Sequence, residues 1–246
     1  MTEPFAVQRV RWHAVADVAA LHSAVAARIL AAAERAIRSR GCFSVVLAGG
    51  DTPRGAYELL RTAPAEWAAW QVYFGDERCT PRDDALRNSR MAESAWLGHV
   101  PLAKSQVHEM PAELGPREAA SRYRTLLEAV GDFDLVLLGL GEDGHTGSLF
   151  PGHELGRGAG VPSVLPVFDA PKPPPQRVTM SAHRFSRAAE VIFLVAGDGK
   201  RDAVRRWRAG ESIPARAITP AVGVDVFVEA SLLLEPTGLA TASAYD

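Results

Sequence analysis

The sequence predicts an α/β fold: an open, mostly parallel, Rossmann-like sheet with helices on both faces. Three observations predict it. Short β-branched and apolar runs alternate with amphipathic stretches of ten or more residues. The strongest runs, at residues 43–48, 134–140 and 191–196, are apolar almost throughout, as strands covered on both faces must be. Several runs end in glycine turns, and strands separated by helices must pair parallel, because parallel neighbours need a crossover.

In chain order, residues 15–40 are rich in Ala, Leu, Val, Glu and Arg with apolar residues three and four apart, and Gly41 stops the pattern, so a long amphipathic helix is expected. Residues 43–48 (FSVVLA) read as a buried strand closed by Gly49 and Gly50. Thr52 as a cap and Pro53 at the first helical position start a helix through about residue 61. Residues 71–74 form a strand ending at Gly75, followed by helices over 88–97 and 115–130. Residues 134–140 (DLVLLGL) carry the strongest strand signal and run into a glycine-rich turn at Gly141 and Gly144. The proline-dense stretch 162–175 is expected to cross the surface as a loop. Then come strands at 177–180 and 191–196, a helix over 200–209, a last strand at 224–228 and a loose tail over 237–246. Trp67, Trp70, Trp96 and Trp207 are expected to pack in the core or between helices.

The chain has 246 residues, 47% hydrophobic and 23% charged, enough for a large core, and a single domain over 1–246 is expected. A formal net charge of -2 supplies no broad positive field for nucleic acid or an anionic membrane, so any anion must be caught by a local cluster. Two cysteines, Cys42 and Cys79, are too few for a disulfide framework or a four-ligand zinc site. Residues 1–4 show no basic region followed by an apolar stretch, and no apolar run approaches the ~20 residues of a membrane span. A cytoplasmic protein without nucleic-acid or membrane partners is expected. Its oligomeric state is open between a monomer and a weak dimer.

In such sheets ligands bind outside the carboxyl ends of the strands, which selects three loops. In the first, Gly49 and Gly50 let main-chain amides approach a ligand while the following helix points its positive end the same way, a place suited to phosphate. Because Pro53 has no amide hydrogen, the donors are those of Gly50, Asp51 and Thr52, with the Thr52 hydroxyl as one more. A plain tight turn with a helix cap explains the same residues. In the second loop, Asp76, Glu77 and Arg78 place two carboxylates and a guanidinium at a strand end, or are simply solvated. In the third, Asp143 and His145 stand two apart between glycines. An imidazole with an ordinary pKa of ~6.5 accepts a proton from water at neutral pH, and a nearby carboxylate orients it. A metal held by Asp143, His145 and His153 is the rival, without any HExxH or CxxC spacing to support it. Ser148 lies in no GxSxG elbow, which disfavours a covalent serine mechanism.

The segments LAGGDTPRGAYELL (47–60), FGDERCTPRDDALRNSRM (74–91), FDLVLLGLGEDGHTGSLFPG (133–152) and RVTMSA with AAEVIFLVAGDGKRDAVRRW (177–207) together resemble the 6-phosphogluconolactonase family in order and spacing. That family is related to the glucosamine-6-phosphate deaminases, which share the glycine loop, the acid at Asp76 and the Asp-Gly-His of 143–145. The deaminases carry a glutamate five residues after the histidine, where this chain has Phe150. The resemblance implies hydrolysis of 6-phospho-D-glucono-1,5-lactone to 6-phosphogluconate in the oxidative pentose phosphate pathway, without metal or cofactor. His145 would be the general base, oriented by Asp143 or Glu142, with Asp76 also catalytic. Gly49, Gly50, Asp51 and Thr52 would hold the phosphate, with cationic partners from Arg78, Arg177 and Lys200. Asn88 would hold the Asp76 loop or touch substrate hydroxyls. The oxyanion would fall to a loop amide of 141–147 or to Arg78. Asp51 stands where the family usually has serine, and a carboxylate there must turn outward or be offset by Arg54. The alternatives are a sugar-phosphate isomerase or deaminase with Asp76 as base, and a non-catalytic sugar-phosphate-binding regulator.

Overall fold

The computed structural model describes residues 7–234, so the tail expected over 237–246 and residues 1–4 lie outside it. The elements run β1 (Val10–Val15), α1 (Val18–Arg40), β2 (Phe43–Leu47), α2 (Asp51–Glu58), β3 (Trp70–Phe74), β4 (Asp76–Arg78), α3 (Asn88–Ala95), β5 (Val107–His108), α4 (Pro116–Glu128), β6 (Leu135–Gly139), β7 (Val164–Val167), β8 (Arg177–Met180), α5 (Ala182–Ser186), β9 (Val191–Val195), α6 (Arg201–Arg208) and β10 (Val224–Glu229). Seven strands form one parallel sheet in the order β1-β10-β9-β6-β2-β3-β5. The chain builds outward from β2 through β3 to β5 on one side, and from β6 through β9 to β10 on the other. The reversal falls between β2 and β6, and there the crossover loops part to leave a crevice.

Local chemistry explains the boundaries. The Asp17 carboxylate accepts from the amide of Ala20 at 2.8 Å to start α1, and Gly41, with φ 75°, ends it in the left-handed conformation. Strands β6 and β9 are buried along nearly their whole length, in keeping with their apolar composition. Helix α2 begins at Asp51 with Gly50 as its cap, and the side chain of Thr52 makes no capping bond. The expected Thr52 cap is therefore replaced by a glycine that leaves the first amides of the helix open.

A second sheet was not anticipated. Strands β4, β8 and β7 pair antiparallel in that order, with Asp76 opposite Thr179 and Arg78 opposite Arg177. Strand β7 lies inside the proline-dense stretch read as loop. Proline tolerates this position because β7 is an edge strand, and Pro166 is exposed.

The tryptophans pack as expected. Trp67, Trp70 and Trp96 meet at centroid distances of 4.8 to 5.8 Å. Trp207 on α6 meets Phe193 of β9 edge-on at 4.7 Å and Trp12 of β1 at 5.4 Å, while its indole N–H donates to Gln8 at 2.7 Å. This residue fastens α6, and the turn before it, to the sheet. Trp207→Ala is expected to lower unfolding free energy by about 3–5 kcal/mol in urea titrations.

Candidate active site

A cleft of about 420 Å³ opens at the carboxyl ends of β2, β3 and β6, the reversal point of the sheet. Gly49, Gly50, Asp51, Thr52, Asp76, Arg78, Asn88, His145, Arg177 and Lys200 all line it. Asp143 stands directly behind His145. The three glycine loops, separate in sequence, therefore face one space.

The loop after β6 is closed on itself: the amide of Gly141 donates to the carbonyl of His145 at 2.7 Å, and that of Gly144 to the carbonyl of Gly141 at 3.0 Å. Gly144 has φ 87°, and a side chain at Gly141 would collide with the imidazole at 2.0 Å, so both glycines are required by the turn that presents His145. Nδ1 of His145 lies 2.5 Å from Oδ1 of Asp143, which also accepts the amide of His145 at 3.1 Å. An ionised carboxylate only accepts, so Nδ1 carries the proton and Nε2 keeps its lone pair. The other side of the ring rests on Phe150 at a centroid distance of 4.7 Å. With its side chain 17% exposed, His145 is held by neighbours yet open to the cleft. Burial pushes its pKa below the ordinary imidazole value, outweighing the opposing pull of Asp143. Burial disfavours the charge on Asp143, but the amide and ring of His145 more than offset it and hold the carboxyl below its usual range.

Glu142 does not share the orienting role: its carboxylate reaches Nζ of Lys172 at 3.4 Å. Ser148 is buried, donates to Asp76 at 2.6 Å and is not among the residues lining the cleft. His153 approaches Asp169 at 3.8 Å instead of joining Asp143, and the described residues contain no cluster of three or more metal-ligating side chains. Burial raises the thiol of Cys79 to about 11, so it stays protonated at neutral pH.

The β4 loop divides its acids. Asp76 faces the cleft and accepts from Ser148 and, at 3.0 Å, from Nδ2 of Asn88, which also donates to the carbonyl of Asp76 at 2.9 Å. Asn88 thus holds the Asp76 loop, the first of the two roles expected of it. Glu77 points inward. It is fully buried and accepts the amides of Arg78, Asn88 and Ser89 at 2.7 to 2.8 Å, tying β4 to the start of α3. Arg87, also buried, bridges Glu77 at 3.5 Å and Glu113 at 3.1 Å. Burial raises the pKa of Glu77 despite these partners.

Elsewhere on the cleft wall, the amides of Asp51 and Thr52 open onto the cleft from a helix start that has no side-chain cap. Asp51 is turned outward, its side chain 90% exposed and 3.3 Å from Arg54, which satisfies both conditions set for a carboxylate in this loop. The antiparallel register sets Arg78 directly opposite Arg177. Like charges so placed are destabilising unless an anion lies between or beside them. Nε of Arg78 is buried without a hydrogen-bond partner among the described residues, and the backbone carbonyl of Leu86 holds its Nη1 at 2.6 Å. Arg177 spends Nε and Nη2 on the carbonyls of Lys172, Pro173 and Pro174, and its guanidinium lies 5.4 Å from the Phe150 ring. Burial lowers the pKa of Lys200, half-buried at the rim, where it forms no ion pair among the described residues. Sequence reasoning missed Lys172, which lines the same cleft; a lone cation in a proline-rich crossing was its only signal.

Comparison with known proteins fits this arrangement. The sequence profile described as glucosamine-6-phosphate isomerases/6-phosphogluconolactonase matches residues 16–227. The chain belongs to this family. It is 38% identical over 215 residues to a 6-phosphogluconolactonase of Mycobacterium tuberculosis, covering 79% of this chain and 85% of the relative. It is 37% identical over 212 residues to one of Streptomyces coelicolor, covering 79% and 81%. The crystal structure of a 6-phosphogluconolactonase from Thermotoga maritima superposes with TM-score 0.83 at 25% identity, covering 90% of this chain and all of that one. Within this two-activity family, Phe150 is fully buried between His145 and Arg177 and packs with Val167 and Ala170, so no acid stands at that point of the cleft.

Gly49 admits Asn88: a Cβ there would fall 1.9 Å from Oδ1 of Asn88. Gly49→Ala is expected to shift the Asn88–Asp76 contact and lower kcat/KM by on the order of 100-fold, with an unchanged circular-dichroism spectrum.

Proposed function

We propose that this chain hydrolyses 6-phospho-D-glucono-1,5-lactone to 6-phosphogluconate. One observation carries the reading. A neutral, carboxylate-oriented imidazole and a pair of opposed arginines open on the same cleft, so a base and an anion anchor are held about one small molecule. Four cations line that cleft, while its two carboxylates, Asp51 and Asp76, already have partners. The buried apolar Phe150 beside the base favours hydrolysis over deamination, for it provides no acid to open a sugar ring. The intact Asp143–His145 pair favours an enzyme over a regulator that merely binds sugar phosphates.

The substrate's phosphate lies against the amides of Asp51 and Thr52 and the guanidinium of Arg78, with Lys200 at the rim. This places the lactone ring toward His145. Nε2 removes a proton from a water as its oxygen bonds to the carbonyl carbon C1, and Asp143 stabilises the imidazolium that forms. The oxyanion then collapses, the bond from C1 to the ring oxygen breaks, and the imidazolium returns its proton to that oxygen as it becomes the C5 hydroxyl. The new carboxylic acid ionises to the solvent. The amides of Gly141, Gly144, His145 and Thr146 are donated inside their own loop. With Arg78 on the phosphate, oxyanion stabilisation falls to the amide of Gly147, which borders the cleft.

The direct test couples the lactone to 6-phosphogluconate dehydrogenase and reads rates above the spontaneous blank. Turnover well above the blank supports the reading, and a rate equal to the blank overturns it. In the same assay His145→Ala is expected to lose about 100- to 10,000-fold in kcat while calorimetry still detects 6-phosphogluconate binding.

The base works only when neutral, and its pKa is depressed by burial. The acid limb of kcat/KM is therefore expected below the ordinary imidazole value of ~6.5. Activity should hold as pH falls toward that value and decline only further down.

A further inference from the structure

Lys172 is unlike a wandering surface lysine. Its backbone carbonyl accepts from Nη2 of Arg177 at 2.8 Å, and the next two carbonyls, of Pro173 and Pro174, accept from the same guanidinium at 3.2 and 3.0 Å. Arg177 itself is buried and lies against Phe150, the residue that also supports His145. One rigid column therefore joins the base to the turn carrying Lys172. The ammonium, half-exposed at the cleft, meets the Glu142 carboxylate at 3.4 Å. Lys200 follows Gly199, where a Cβ would fall 2.9 Å from Oε1 of the same carboxylate, and it feels that charge. Two ammoniums near one carboxylate leave a net positive charge at the cleft. A phosphate, with a charge of about -1.5 to -2 at neutral pH, matches that pair better than a single carboxylate does.

We propose that Lys172 is a further substrate-binding cation that takes one side of the phosphate, with Glu142 holding the ammonium in place until the anion arrives. This assignment rests on the reading of the cleft as a sugar-phosphate site. Arg177 is then a positioning residue for Lys172. The proximity has a second consequence, since the positive charge of Lys172 helps keep His145 unprotonated.

Isothermal calorimetry with inorganic phosphate, 6-phosphogluconate and unphosphorylated gluconate tests the assignment on the wild type, Lys172→Ala, Lys172→Arg and Glu142→Gln, alongside the coupled lactonase assay. Lys172→Ala is expected to weaken phosphate and 6-phosphogluconate binding about tenfold, raise KM by a similar factor and leave kcat within about twofold. Lys172→Arg should restore most of the loss, and Glu142→Gln should tighten phosphate binding. Gluconate binding should be indifferent to all three. The acid limb of kcat/KM should move to higher pH in Lys172→Ala, a shift that a purely structural role would not produce. Unchanged phosphate affinity in Lys172→Ala, or an effect confined to gluconate, overturns the assignment whatever the turnover. A wild type that binds phosphate through Lys172 but leaves the lactone intact would instead remove the lactone reading and keep the anion site.

Discussion

The molecule is organised around a proton held on one side of a ring. The 2.5 Å contact between Asp143 and Nδ1 of His145 fixes the tautomer, and with it the direction in which the free lone pair points. Everything near it serves that contact. Gly141 and Gly144 exist as glycines so that the loop can fold back beneath the imidazole, and Phe150 closes the opposite flank. Strand β6, central in the sheet and buried, supplies the fixed point from which the loop departs. A carboxylate alone would raise the ring's pKa; partial burial reverses that balance and keeps the ring unprotonated near neutrality.

The second organising theme is the separation of charge by depth. Glu77 and Arg87 are placed in the interior, where the acid collects three backbone amides and the guanidinium bridges two acids. Such a pair is costly to form, yet removing one partner would strand the other, so it defines the geometry of β4 and α3 more than it adds stability. Positive groups also gather at the cleft. Among the described residues Arg78 keeps a buried nitrogen without a hydrogen-bond partner, Arg177 opposes it across the small sheet, and Lys200 forms no ion pair. Interior guanidiniums, those of Arg87 and Arg184, also keep unpartnered nitrogens, so what sets the cleft apart is its charge balance: four cations line it against two carboxylates that already have partners.

Much of this was legible in the sequence. Buried parallel strands announce themselves as unbroken apolar runs, so β2, β6 and β9 were found, and Gly41 marked the end of α1. The glycine-framed histidine and its aspartate were found for a physical reason, since such a ring has no packing role to explain it. What the sequence hid was pairing. Strand β1 is an edge whose exposure alternates imperfectly, β5 has two residues, and β7 contains a proline. None carries a periodic signal of its own; each exists because a neighbour provides hydrogen bonds. The opposition of Arg78 and Arg177 and the hold of Arg177 on Lys172 follow from that missed second sheet, and no spacing along the chain encodes them. Asp76 and Glu77 are adjacent acids with opposite fates, set by which side of a three-residue strand faces the cleft.

The central claim concerns one hydrogen atom. Nitrogen-15 NMR of the free protein at neutral pH, with His145 assigned through its alanine variant, reads that atom directly. The account predicts a neutral imidazole protonated at Nδ1 and bare at Nε2, titrating below the ordinary value of ~6.5. A ring protonated at Nε2, or one that remains an imidazolium at neutral pH, would contradict it.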